Sequence, residues 1–165
     1  MASSSSRLAT GERLAGFIYG TIIVLSVIVA GSRAYPHESG HIAAVAAATC
    51  VVFWLAHVYA HSVGHSVGHE EHLSLREVRY IARRESSIVQ AAVPPIVVLV
   101  LGAAGVLSAH VALWLAFILG LIVLALQGFV FARIERLGLL GTVAVIAVNL
   151  GLGVLLVGLK LAVSH

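Results

Sequence analysis

Nine histidines stand among the 165 residues of this chain, and most fall into two groups with the spacing of metal ligands. His37-Glu38-Ser39-Gly40-His41 reads H-E-x-x-H. On a helix that spacing sets two imidazoles one turn apart with a carboxylate beside them, the arrangement of a zinc site with its general base. A third ligand would have to come from the same side, where His110 and His165 are the candidates. Such a site would take Zn²⁺ or another divalent transition metal as cofactor. Pro36 argues against catalysis, because it makes His37 the start of a helix at a surface, with no cleft for a peptide. The expectation is therefore no enzyme, with a zinc metallopeptidase as the lesser alternative.

The second group is His57, His61, His65 and His69, each four apart, followed by Glu70, Glu71 and His72. A step of four drifts only about 40° around a helix, so neighbours in the stripe can chelate a metal in pairs. The repeat of His-Ser-Val-Gly at His61 and His65 also reads as a short tandem duplication. The two groups lie at opposite ends of one apolar run, about 30 Å apart at roughly 1.5 Å per residue. They cannot share one di-metal site, which excludes desaturase-type chemistry.

The elements that must hold these residues are set by composition. Sixty per cent of the chain is hydrophobic, only 10% is charged, and the mean hydropathy is +1.05. A soluble domain carries about 25% charge. This excludes a soluble enzyme, a disordered tail and, with Cys50 the single cysteine, a disulfide scaffold. The remaining class is an integral membrane protein. Its net charge of +3 reflects topology and not a nucleic-acid partner.

Five segments approach the roughly 20 apolar residues that a bilayer core requires. They are residues 14–31, 41–64, 88–107, 111–132 and 139–163. Backbone groups must be satisfied inside lipid, so these segments are helices. The expected fold is an all-α, polytopic transmembrane bundle of five spans in the cell membrane. Residues 1–12 form a polar leader and 13–165 a single transmembrane domain. Basic residues collect on the inner side of membranes. With the N-terminus inside and the C-terminus outside, Arg7, Arg13, Arg76, Arg79, Arg83, Arg84, Arg133 and Arg136 are inner, and only Arg33 and Lys160 are outer. The first run is longer than the roughly 7–15-residue core of a signal peptide, so it reads as a retained anchor.

Between the second and third spans, Ser74-Leu75-Arg76-Glu77 has the form of a capping box. It opens an amphipathic helix over 74–86, with Leu75, Val78, Ile81 and Ala82 on one face and Arg76, Arg79 and Arg83 opposing them. That helix belongs at the inner headgroup layer, with anionic lipid as a candidate partner. Within the spans no carboxylate sits at a centre, so a carboxylate relay is not expected. His57 is the one imidazole well inside a span, as a proton-sensitive group or a hydrogen-bonded packing residue. Pro94-Pro95 implies a kink, and Gly16-x-x-x-Gly20 implies close helix packing.

Two short stretches carry a family resemblance. Glu12-Arg13-Leu14-Ala15-Gly16-Phe17-Ile18-Tyr19-Gly20 resembles the first helix of the endolysosomal and bacterial potassium/proton channel family, where Arg-x-x-x-Phe-Ser-Asp-Gly opens the pore-lining helix. Arg13, Phe17 and Gly20 match that motif, with Ile18 and Tyr19 in place of Ser-Asp. Phe53-Trp54-Leu55-Ala56-His57 is similar to the family's second helix, which carries a Trp and a His. The family has six spans per unit against five here. The resemblance implies a homotetramer with first helices around a central pore that passes K⁺ or H⁺. It maps the constriction to Val24, with Val27 and Ile28 a turn deeper, and a helix-packing network to Arg13, Phe17, Gly20, Trp54 and His57. A pore lined by valines is dry and conducts only on transient wetting. The expected function is thus an oligomeric cation-permeable channel. The alternatives are a metal-binding or metal-transporting membrane protein that uses the histidines, and a structural membrane subunit without chemistry.

Overall fold

The computed structural model describes the backbone of residues 2–69 and 74–163, and the side chains of residues 10–64, 66, 74–155 and 158. Helix α1 spans Ala2–Ala34, α2 Ser39–His69, α3 Leu75–Arg84, α4 Ser87–Ala103, α5 Ala109–Ile134 and α6 Leu139–Val163. No strand occurs among the described residues. The all-α expectation holds, and α1 runs back through the polar leader.

Among the described residues, three helices are long and apolar enough to cross a membrane alone: Thr10–Ala34, Ser39–Gly64 and Ala109–Ile134. A fourth crossing arises if α3 and α4, bent by 45° at their junction, count as one span. Within the described residues of α6, Leu139–Leu155 is a further, shorter apolar stretch. Among the described residues there are thus three to four candidate spans, against the five expected from the whole sequence. The expected third span ran to residue 107, but α4 stops at Ala103. Its 17 residues reach only about 25 Å. A Schellman turn ends it: Gly105 adopts φ +77°, its N–H donates to Gly102 O, and Val106 N–H donates to Leu101 O.

Helix α1 is the hub, packed against α2, α4, α5 and α6, with a brief touch on α3. The core joins Val24 and Ile28 of α1 to Ile42 and Cys50 of α2, Leu99 of α4 and Leu113 of α5. Close approach depends on small residues. A Cβ on Gly20 would run into the backbone of Ile88, and one on Gly16 would meet the Ser87 side chain. The Gly16/Gly20 pair thus sits at the α1–α4 contact. Outside the core, Trp114, Ile118, Ile122 and Leu126 form an exposed apolar line up α5. Such a surface suits contact with hydrocarbon.

The capping box of α3 is present in both directions. Glu77 N–H donates to Ser74 Oγ at 3.3 Å, and Ser74 N–H donates to Glu77 Oε2 at 2.8 Å. Ile81 of its apolar face is buried. Pro94 and Pro95 lie inside a continuous α4. The bend falls at Glu85–Ser86, ahead of the prolines.

Candidate functional site

The densest group of polar side chains lies where the N-terminal part of α1, the C-terminal half of α2 and the α3–α4 bend meet. Glu85 caps α3, its N–H donating to Ile81 O. The bend then turns the carboxylate inward, and the residue is only 7% exposed. A buried carboxylate needs partners. Arg84 Nε stands 3.4 Å from Glu85 Oε1, and His61 Nδ1 of α2 stands 3.6 Å from the same oxygen. The other arm of Arg84 reaches Glu12 of α1 at 3.3 Å. Four side chains thereby tie three helices together.

Both imidazoles approach backbone carbonyls through Nδ1. His57 Nδ1 lies 3.0 Å from Phe53 O, and His61 Nδ1 lies 3.1 Å from His57 O. A carbonyl can only accept, so each Nδ1 carries a hydrogen, and in the neutral ring Nε2 holds the lone pair. Each ring can therefore take a further proton at Nε2. The Tyr19 ring packs 5.1 Å from His57, and His57 lies 6.4 Å from His61.

These groups line a cavity of about 510 Å³ between α1 and α2, walled by Glu12, Tyr19, His57, His61 and Glu85, with Ile22 and Ile88 as apolar neighbours. His61 also lines an adjoining cavity of about 550 Å³ with Glu77, Tyr80 and Arg84. With neutral imidazoles, two carboxylates against one guanidinium leave the cluster net negative.

The resemblance-derived packing residues divide. Gly20 packs on α4. Trp54 Nε1 donates to Ala82 O at 2.9 Å and pins α2 to α3. His57 packs on Tyr19. Phe17 is half-buried and Arg13 is exposed. The mapped pore residues are placed differently from the expectation. A pore around an axis shared by α1 helices requires Val24 on the protomer surface. Val24 is 0% exposed and Ile28 is 2% exposed, both enclosed in the protomer's own core. Val27 lines a recess of about 240 Å³ at the opposite end of α1, with Tyr35 and His41, and Ile28 lines one of about 370 Å³ with His110 and Trp114.

The metal candidates are also separated. His37 lies in the turn before α2, which begins at Ser39, so His37 and His41 are not one helical turn apart on a face. Glu38 is exposed, its N–H donates to Tyr35 O, and His41 packs on the Tyr35 ring at 4.3 Å. The side chains of His65 and His69, with Glu70, Glu71, His72 and His165, lie outside the described residues. Among the described residues no three His, Cys, Asp or Glu side chains converge as a metal site.

Sequence reasoning passed over Glu85 and Glu12. The available signal was Glu85 itself, the acidic residue that follows Arg83-Arg84 where the apolar face of α3 ends. Comparison with protein families, with curated proteins and with solved structures finds no match to this chain.

Proposed function

We propose that this is a multi-pass integral membrane protein, N-terminus inside, whose cavity at the α3 end binds protons and passes them across the membrane. The basic residues of α3 and of the α5–α6 turn support an inner location for that end. On this reading α4 and α6 complete five crossings. The reading keeps the cation permeability expected from the sequence, but moves its seat from Val24 to the α1–α2 cavity within one protomer.

The observation that carries the proposal is Glu85, a buried carboxylate beside the His61 imidazole on a cavity wall. A buried carboxylate beside an imidazole on a cavity wall pairs two groups able to exchange protons. A K⁺ site would replace a hydration shell with several converging oxygens. Here both carboxylates, Glu12 and Glu85, are held by Arg84, and the remaining wall is imidazole, phenol and aliphatic. Proton exchange at Nε2 suits that wall better than coordination of an alkali ion.

The test is flux in proteoliposomes loaded with a pH-sensitive dye. Under an imposed pH gradient the protein should collapse the gradient faster than protein-free vesicles, with no matching K⁺ flux. Equal rates in loaded and empty vesicles would sink the proposal and leave the cluster as a helix clasp.

A further inference from the structure

Helix α3 packs on α2, and the Trp54 indole pins it there through Ala82 O. The side it turns to α2 carries buried Ile81, with Val78 and Ala82 half-buried beside it. Leu75 departs from the sequence expectation that grouped it with that side, because it is 89% exposed. At about 100° per residue, Arg76, Arg79 and Arg83 fall within an arc of about 60° on the opposite side. Leu75 flanks one edge of the arc, and Tyr80, 64% exposed, flanks the other. All three arginines are exposed, and among the described residues no carboxylate pairs with them. Glu77 lies outside the arc and is bonded to Ser74. Arg84 is engaged with Glu12 and Glu85.

An ordinary interfacial helix sinks its apolar side into the leaflet and leaves its basic side in water. In α3 the apolar side is already taken by α2, so the basic side is the one left to meet a partner. Its position says which partner. Helix α4 follows at Ser87 after a 45° bend, and its exposed Val93, Val97 and Val100 suit hydrocarbon. That places α3 at the level where hydrocarbon gives way to headgroups. Guanidinium groups match phosphate oxygens in geometry as well as charge. An aromatic ring such as Tyr80 is at home at the same depth. We propose that the outward face of α3 docks anionic lipid, with headgroup phosphates on Arg76, Arg79 and Arg83 and the lipid's first tail carbons against Leu75 and Tyr80. An acidic soluble protein would have to displace the leaflet to reach this face. Zwitterionic lipid fits it less well, because its own ammonium offsets the phosphate charge.

Native mass spectrometry of the full chain in a neutral detergent tests the docking face. Phosphatidylglycerol and phosphatidylcholine of distinguishable mass are supplied in equal amounts, and the wild type should retain phosphatidylglycerol in preference. Each basic residue at an anionic surface contributes about a fivefold factor, so Arg79→Gln with Arg83→Gln should lower that retention about tenfold or more. Arg133→Gln with Arg136→Gln removes the same charge from the α5–α6 turn and should change it less than about twofold. Arg79→Lys with Arg83→Lys keeps the charge and should keep most of the preference. Thermal melts without lipid establish that each variant is folded. Equal losses in the two glutamine pairs would mean diffuse attraction to net charge and would overturn the site. Loss in the lysine pair as complete as in its glutamine counterpart would rule out phosphate charge as its basis. A folded wild type with no preference for phosphatidylglycerol would overturn the docking face outright, leaving the arginines to an acidic protein or to solvent.

Discussion

His61 and Glu85 meet with 3.6 Å between Nδ1 and Oε1, although one lies on α2 and the other at the bend that leads into α4. The contact closes the α2–α3 hairpin on the same side as Trp54, whose indole donates to Ala82 O. Two chemically different links, one ionisable and one neutral, therefore hold α3 against α2. The first also faces a cavity.

The charged cluster should be unequal in stability. Glu85 is buried with two partners, so Glu85→Ala should cost about 2–3 kcal/mol in detergent unfolding. Glu12 is about half exposed, at 46% of its side chain. Glu12→Gln should cost under about 1 kcal/mol, as exposed ion pairs do. Equal losses in the two variants would contradict the burial argument.

Helix approach sets a second contrast. Gly20→Val drives side-chain atoms into the Ile88 backbone, which cannot move aside. It should cost about 3 kcal/mol or prevent assembly, at the upper end of overpacking effects. Gly64 has nothing within 4 Å of its would-be Cβ. Gly64→Ala should be neutral or gain up to about 1 kcal/mol from helix propensity. Thermal unfolding of the two purified variants gives the comparison.

Backbone conformation supplies a third. Arg136 holds φ 54°, and Leu137 N–H donates to Ala132 O across it, the geometry that Gly105 adopts after α4. An L-residue in this region costs roughly 1–2 kcal/mol. Arg136→Gly should raise stability by about 1 kcal/mol, partly offset by the freer unfolded chain. A lower melting temperature would show that the Arg136 side chain contributes more than its backbone strain removes.

Topology is tested by fusion. A reporter placed after His165 should be translocated, and one inserted at Ser86 should stay in the cytoplasm. A cytoplasmic C-terminus would contradict five crossings and leave an even number.

Membrane character was legible because hydropathy adds up along the chain and needs no tertiary knowledge. The Ser74–Glu77 box was legible because its bonds span three residues. Gly105 was equally local, and a glycine just past an apolar run is a helix stop. Reading the third segment on to residue 107 overlooked that signal. The Glu85–His61 pair was not legible, since it depends on where a 45° bend sends one side chain. The core position of Val24 was not legible for a related reason. An apolar residue on a hub helix faces core, lipid or pore with the same side chain, and only its neighbours decide. The His37–His41 motif matched in spacing, but it presupposed a helix that begins two residues later.

The most direct measurement is the rate at which proteoliposomes carrying Glu85→Gln dissipate an imposed pH gradient. Gln keeps the shape of Glu85 but cannot take or release a proton at that atom. The account predicts a rate at least tenfold below that of the wild type. Glu12→Gln, which trims only the rim of the cavity, should stay within a few-fold of it. A Glu85→Gln protein that folds, reconstitutes and passes protons at the wild-type rate would contradict the account.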